Sequence, residues 1–380
     1  MIKAVTKSKE LEENIAKLIV RDGLKVGDSI MPETRLASVY GVSRVTVRQA
    51  IANLEESGIL RSEQGRGTFI VKLPKASRNS RRRSMLIGFV CYTGIDNPYM
   101  GAIARGIESG AETEGYHICF GSVMGSAERE TEVIRRLLKR GVEGLVVSPT
   151  ESHPASVFLQ ELARTGMPLV IVDENIAGLR VPSACCDDRE GGFLATSLLL
   201  ENGHRRIAHL RGPELKENAI SRLAGYSQAL ALKKIIVPTE LTPALENPKI
   251  SYTEQAGYAL MKKLLALPKG RRPTAAFAAN DIMALGAYAA LKEDGLRVPE
   301  DFSLVGYGNL PLNGGLHLTS VDQHPGDIGR AAWNLLRNLL AGDDSVRNSR
   351  MLLRPELVIR SSVSTPSTAI RKTGRSHSAG

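Results

Sequence analysis

The sequence predicts a multidomain α/β protein: an N-terminal winged helix-turn-helix followed by a two-lobed α/β unit. Three observations carry this. Residues 41–68 read as a helix with two arginines on its exposed face, then a short hairpin with a basic, glycine-rich tip. From residue 85 onward, strand-like apolar runs alternate with helical patterns, the rhythm of parallel sheets covered by helices. The charge is also uneven. Of the net +10, residues 1–84 carry a balance of +8, from 17 Lys/Arg against 9 Asp/Glu. The last ten residues add three positive charges, which leaves the long middle near −1.

Bulk properties set the outer limits. A chain of 380 residues with 42% apolar content is long enough for two or three domains with real cores. No run of eighteen apolar residues predicts a membrane span, and the N-terminus lacks a signal core, so a cytoplasmic protein is expected. Cys91, Cys119, Cys185 and Cys186 form no Cys-x-x-Cys pair. They are expected as reduced thiols rather than a metal or redox site. His117, His204 and His209 likewise lack ligand spacing, so no metal and no cofactor is expected.

Taken in order, residues 8–22 carry apolar positions at Leu11, Ile15, Leu18 and Ile19, a helical spacing closed by Gly23 and Gly27. Residues 33–40 form a short second helix that Gly41 breaks. Ser43 is the expected N-cap of the third helix. There Val47, Ala50, Ile51 and Leu54 make the inward stripe, while Arg44, Val45, Arg48 and Gln49 fall on the other side. Gly58 stops it. Residues 59–63 and 68–72 then read as two strands around Gln64-Gly65-Arg66-Gly67. Residues 73–84, rich in Ser and Arg and without apolar periodicity, are expected as a basic linker. The domains are thus 1–72, linker 73–84, the two-lobed unit 85–360, and a disordered tail 361–380.

The third helix has the side chains that groove reading requires. Arg44 and Arg48, four apart, share one face and can bond guanine O6 and N7. Val45 and the Thr46 methyl suit a thymine methyl, and Ser43 at the helix start suits a phosphate. In the wing, Gly65 and Gly67 allow a tight turn that presents Arg66 to the minor groove or to phosphate. The alternative, an amphipathic helix whose arginines only face water, does not account for the hairpin and the local charge together.

In the two-lobed unit, apolar runs at 86–91, 145–148, 169–172, 207–210, 275–278 and 302–305 alternate with helical patterns at 101–114, 128–140, 155–165, 190–202, 253–266, 282–293 and 326–341. Ligands of such sheets lie beyond the carboxyl ends of the strands. Those ends supply Tyr92 and Asn97-Pro98-Tyr99, then Asp173 and Glu174, Arg211-Gly212-Pro213, Asn280 and Asp281, and Tyr307-Gly308-Asn309. Carboxylates, amides and aromatic faces together suit a polyhydroxylated ligand. Strand ends are polar in any case because they meet loops. The carboxylates of Asp187-Asp188-Arg189-Glu190 allow acid–base chemistry in principle, but an acidic helix start explains them equally. No nucleophile–base spacing or phosphate loop supports an enzyme.

Residues 10–71 resemble the winged helix of the gluconate-repressor (GntR) family. Val42-Ser43-Arg44-Val45-Thr46-Val47-Arg48 is similar to its recognition-helix start, and Gln64-Gly65-Arg66-Gly67-Thr68-Phe69 to its wing. Where that family shows Pro-Ser-Glu-Arg-Glu-Leu-Ala, this chain has Met31-Pro32-Glu33-Thr34-Arg35-Leu36-Ala37. Thr34 therefore replaces a common DNA-contacting arginine, with Arg35 beside it. Residues 85–360 resemble the effector domain of the lactose/galactose-repressor family, related to periplasmic sugar-binding proteins of type I. The resemblance runs through Ile87-Gly88-Phe89-Val90, Asn97-Pro98-Tyr99, Gly203-His204-Arg205-Arg206, Arg222-Leu223-Ala224-Gly225-Tyr226 and Ala279-Asn280-Asp281. It implies that Arg222 is the cleft arginine and Asp281 a hydroxyl acceptor. It also implies that Tyr252 packs on the ligand, that Gln323 is a late cleft amide, and that Tyr99 belongs to the first loop. Gly308 stands where the family carries a carboxylate, and linker 73–84 replaces the family's hinge helix. The order of parts is like that of hybrid arabinose repressors.

The resemblance implies a homodimeric repressor on a palindromic operator of double-stranded DNA, released or tightened by a small sugar effector. Couplings of this kind are about 1–3 kcal/mol. The alternatives are a solute-binding protein feeding a transporter, or a regulator answering a nucleoside or purine.

Overall fold

The computed structural model describes residues 7–63, 66–73, 84–151, 157–176, 178–244, 252–311 and 316–366. The chain divides into two compact units, Met1–Arg82 and Arg83–Gly380. Most of the expected linker and residues 367–380 of the expected tail lie outside the described residues.

The smaller unit is a three-helix head with a wing. Helices α1 (Lys7–Arg21), α2 (Glu33–Tyr40) and α3 (Arg44–Glu56) precede strands β1 (Leu60–Glu63) and β2 (Gly67–Ile70). Leu11, Ile15 and Ile19 of α1, Leu36 of α2, and Val47, Ala50, Ile51 and Leu54 of α3 form one core with Leu60 and Ile70. That is the apolar stripe read from the sequence. Gly41 ends α2 at φ 64, a left-handed position natural to glycine. Ser43 caps α3, its hydroxyl oxygen accepting from the Thr46 amide at 3.1 Å. The helix closes where the Ile59 amide donates back to the Leu54 carbonyl at 2.9 Å. β1 and β2 pair antiparallel, Leu60 opposite Ile70 and Glu63 opposite Gly67. The second strand thus starts one residue earlier than expected and stops at Ile70, because Val71 and Lys72 donate instead to the Ile59 carbonyl.

The larger unit runs β3 (Leu86–Cys91), α4 (Pro98–Thr113), β4 (His117–Ser122), α5 (Ala127–Lys139), β5 (Gly144–Val147), α6 (Val157–Arg164), β6 (Leu169–Val172) and β7 (Ser183–Cys186). It continues through α7 (Asp188–Glu201), β8 (Ile207–Leu210), α8 (Glu217–Leu232), α9 (Glu254–Leu265), β9 (Ala275–Ala278), α10 (Asp281–Glu293), β10 (Ser303–Tyr307) and β11 (Thr319–Asp322). It closes with α11 (Pro325–Leu340), β12 (Arg350–Leu353) and β13 (Glu356–Val358). Among the described residues these strands make two sheets. One has six strands in the order β12-β7-β6-β5-β3-β4, and the other has five in the order β13-β11-β10-β9-β8. All pairings are parallel except β11 with β13.

Burial on both faces explains why the strands are continuous apolar runs. In β3, Ile87, Phe89 and Cys91 face α4 and α11, while Val90 faces the core that holds α5 and α6. In the second sheet, Ala276, Ala278 and Leu304 pack on α9 and α10, and Ala275, Phe277 and Val305 on α7 and α8. The described chain passes between the sheets after β7, after β11 and after β12. Those crossings place Asp187-Asp188 and Gln323 at the junction of the lobes. Sequence patterning missed β4, β7, β11, β12, β13 and α8. β7 is Ser-Ala-Cys-Cys, too small to read as a strand, and α8 carries buried polar Asn218 and Arg222 where an apolar stripe would fall. Among the described residues no helix is long and apolar enough to cross a membrane.

Candidate functional site

Most of the residues expected to contact DNA lie on the surface of the head. Ser43, Arg44, Val45, Arg48 and Gln49 are exposed, Val45 at 76%, whereas Thr46 is half-buried with its hydroxyl on Ser43 at 2.8 Å. Arg48 is held from α2: its Nε donates to Glu33 at 2.9 Å, which leaves the two Nη groups pointing beyond the pair. Arg35 is exposed on the same helix as Glu33. Gln49 donates to Asn53 at 3.0 Å, so this glutamine is tied along the helix. In the wing, Arg66 is exposed and pairs with Glu63 at 2.8 Å, and Gly67 sits at φ 117, which a side chain would strain. Gly65 lies outside the described residues.

In the larger unit a cavity of about 70 Å³ lies between the lobes. Six of the seven effector residues expected from the sequence line it: Tyr99, Asp173, Arg222, Tyr252, Asn280 and Gln323. Asp281 is not among them. Its carboxylate accepts from the Ser320 hydroxyl at 2.6 Å and the Leu310 amide at 2.7 Å, and it faces a separate pocket with His317 and Arg360. Asp281 therefore braces the loop after β10 rather than the cleft.

Arg222 is the anchor of the cavity. Gly192 and Gly225 let α7 and α8 touch backbone to backbone, since a Cβ on Gly225 would stand 2.0 Å from the Arg189 carbonyl oxygen. That approach brings Arg222, 3% exposed, to the lobe junction. Its Nε donates to Asp188 at 2.8 Å, Nη1 to the Ala279 carbonyl at 2.7 Å and Nη2 to Gln323 at 3.3 Å. The guanidinium stacks 3.9 Å from the Tyr307 ring. Burial pushes the Asp188 carboxyl up to about 7 against the opposing pull of Arg222. Asp187 caps α7 by accepting from the Glu190 amide at 3.0 Å. The acidic run at 187–190 is thus a helix start and an ion pair.

The remaining lining is a chain of hydrogen bonds. The Tyr99 hydroxyl donates to Asp173 at 2.8 Å, Asn218 donates to the other Asp173 oxygen at 3.3 Å, and the Tyr252 hydroxyl donates to Asn218 at 2.6 Å. Burial raises the pKa of Tyr99, Tyr252 and Tyr307, which keeps their hydroxyls neutral donors. Asn280 caps α10 through the Met283 amide at 2.8 Å and donates to the Tyr252 carbonyl at 3.4 Å. Asp173 and Tyr252 hold left-handed backbones at φ 70 and φ 55, a strain that clusters at binding sites. Lys216 and Asn218 were not anticipated, because the helix they begin was not recognised. Arg211, which was read at the end of β8, pairs with Glu214 instead. Cys91, Cys185 and Cys186 are buried and Cys119 half-buried, all as free thiols. Burial pushes Cys91 and Cys185 up to about 12, so they stay protonated. Among the described residues no cluster of His, Cys, Asp and Glu is placed to hold a metal.

Comparison with known proteins follows the same division. Residues 7–70 match the model of bacterial regulatory proteins of the gntR family, and residues 196–363 match the periplasmic binding protein-like domain. The arabinose metabolism transcriptional repressor of Geobacillus stearothermophilus is 29% identical over 368 residues, spanning 95% of this chain and 98% of the relative. The HTH-type transcriptional repressor CytR of Escherichia coli K12 is 33% identical over 287 residues, 75% of this chain and 81% of the relative. A crystal structure of a LacI family transcriptional regulator from Enterococcus faecium, with bound ribose, superposes with a TM-score of 0.62 at 26% identity. It covers 74% of this chain and all of that one.

Proposed function

The chain belongs to the family of bacterial transcriptional repressors built on a periplasmic binding protein-like domain, here joined to a gntR-type head, and from that premise we propose how it is controlled. It is a ligand-regulated DNA-binding protein, not an enzyme. Its effector is a small uncharged sugar bound between the lobes. Acting as a homodimer in the bacterial cytoplasm, it places two α3 helices in successive major grooves of a palindromic operator. Arg44 and Arg48 contact bases, while Ser43 and Arg66 contact phosphate or the minor groove.

One observation supports the control mechanism above the others. Arg222 bonds Asp188 at the first crossing between the lobes and Gln323 at the second. A ligand that engages Arg222 therefore acts on the segments about which the lobes must turn, which is what an effector needs in order to bias two states differently. The charge of the lining points to a neutral ligand. Arg222 is paired with Asp188 and Lys216 with Glu174, and Asp173 adds a further carboxylate, so a phosphate group would meet no uncompensated cation.

The test uses the full-length protein and DNA from upstream of its own gene. Binding should weaken steeply as salt rises, and one of a panel of free pentoses and hexoses should raise the melting temperature and shift operator affinity about 5–150-fold. Salt-insensitive or absent DNA binding would end the assignment of the head. Stabilisation by sugar phosphates but not by free sugars would end the assignment of the effector.

A further inference from the structure

The cavity between the lobes is one of two compartments. The second is a groove of about 760 Å³, lined by Met124, Ser126, Glu128, Thr150, Glu151 and Arg211 among others. Two side chains, Tyr92 and Lys216, line both. Lys216 rises from the start of α8 in the second lobe, yet its ammonium lies against the first. It donates to the Pro149 carbonyl at 2.6 Å, pairs with Glu174, and sits 4.2 Å from the centre of the Tyr92 ring. It is 2% exposed. Burial opposes its charge, but Glu174 and Asp173 outweigh that and raise its pKa, so the ammonium stays charged and pinned.

We propose that the Lys216–Tyr92 contact is a partition that sets effector size, confining the ligand to one sugar ring and excluding the same sugar when it carries a second ring. This rests on the reading of the cleft as a sugar site. In the measure where one water needs about 10–15 Å³, the inner cavity of about 70 Å³ holds roughly five water-sized groups. That leaves no room for a second ring beside a first. The second compartment is about ten times larger, so volume beyond the contact is not what limits a longer ligand. A ligand that occupies both compartments must lift Lys216 from Glu174 and from the Pro149 carbonyl. These contacts join one lobe to the other, so such a ligand also works against closure of the lobes. The partition therefore discriminates twice: a larger ligand loses a buried ion pair and forfeits the closed state.

The experiment measures, by calorimetry on the full chain, the affinity of each free pentose and hexose in the panel against disaccharides and nucleosides built on the same sugar. Wild type should prefer the single ring at least tenfold. Lys216→Ala should reduce that preference tenfold or more, chiefly by gaining affinity for the two-ring ligands. Lys216→Met, which keeps the stem and loses the ion pair, should fall between wild type and Lys216→Ala. Lys216→Ala leaves Glu174 buried without its ammonium, so Lys216→Ala/Glu174→Gln and Tyr92→Ala provide openings that keep the lining neutral or uncharged. The double variant should behave as Lys216→Ala does, and Tyr92→Ala, which keeps the ion pair and removes only the facing ring, should give part of the change. Two-ring ligands binding wild type as tightly as the single ring would overturn the partition. So would an unchanged preference in all three opened variants. If wild type binds no free sugar and no nucleoside, the sugar reading of the cleft fails first and the partition with it.

Discussion

Replacing Arg222 with methionine tests the keystone of the cleft. The variant keeps most of the side-chain volume. It removes three donated hydrogen bonds, to Asp188, the Ala279 carbonyl and Gln323, together with the stack on Tyr307. Breaking a buried ion pair from one side costs about 3–5 kcal/mol when the other charge must stay ionised. Asp188 has an escape, because its carboxyl already titrates near 7 in the folded protein and can take a proton. At pH 7 the expected cost is therefore at the lower end, about 3 kcal/mol. Above pH 7 it should grow by up to about 1.4 kcal/mol per unit, the free energy of one pKa unit. For a unit the size of Arg83–Gly380, about 3 kcal/mol lowers the melting temperature by roughly 5 °C. The assay is thermal and urea unfolding of wild type and variant at pH 6, 7 and 8.5. Arg222→Met/Asp188→Leu, which replaces the pair by apolar groups, should recover much of the loss without restoring effector binding. A cost under about 1 kcal/mol at every pH would mean that Arg222 is not a buried anchor. A double variant as unstable as the summed singles would mean that the two residues are not coupled.

Further outcomes follow from other parts of the molecule. Arg48→Ala should weaken operator binding by about 1–3 kcal/mol and flatten discrimination at the base it reads, with effector affinity unchanged; gel shifts against single-base operator variants check this. Glu33→Gln should relax discrimination at that same base rather than strengthen binding uniformly, because Glu33 fixes the Nε edge of Arg48. Tighter binding to every sequence alike would show that Glu33 only repels phosphate. Folding raises the Asp188 carboxyl to about 7 from an unfolded value of about 3.9, so its contribution to stability is greatest below about pH 4 and is lost as pH rises to 7. Wild type should accordingly lose stability relative to Asp188→Asn across that window, and a difference that is flat or grows would show the ion pair dominating burial. Gly225→Ala should force α7 and α8 apart, since the added Cβ meets the Arg189 carbonyl oxygen. Weakened effector binding and a lowered melting temperature, with operator binding by the head retained, are the expected readouts.

The head was legible because its structure is local. One apolar stripe per helix, a serine at the cap, and glycines at the two sharp reversals specify α1 to β2 almost without long-range information. Only element ends shifted, by a residue or two: α1 and β1 by one residue, and β2 at both ends, its C-terminal end decided by a backbone contact from Val71 back to Ile59 that no spacing encodes. The parallel sheets were legible wherever both faces are covered by large side chains, as in β3, β5 and β6. β7 was not, because small residues fill its place beside β12, a strand that arrives more than 160 residues later in the chain.

The cleft divides along the same line, and the division explains Asp281. Reading the ends of apolar strands finds residues that a βα loop delivers directly, such as Tyr99, Asp173 and Asn280. It cannot tell whether a carboxylate at such an end faces the ligand or ties its own loop. That depends on neighbours supplied by another strand. Here Ser320 of β11 and the Leu310 amide occupy Asp281, while Gly308 leaves the cavity wall bare. Lys216 was invisible for the complementary reason. A lysine after a Gly-Pro turn reads as solvated surface, and it is buried here because its partners Glu174, Pro149 and Tyr92 come from the opposite lobe. Residues whose role is set within one βα unit can be read from the chain. Residues whose surroundings are set by the meeting of the lobes cannot, and the proposed partition at Lys216 and Tyr92 rests on that second group.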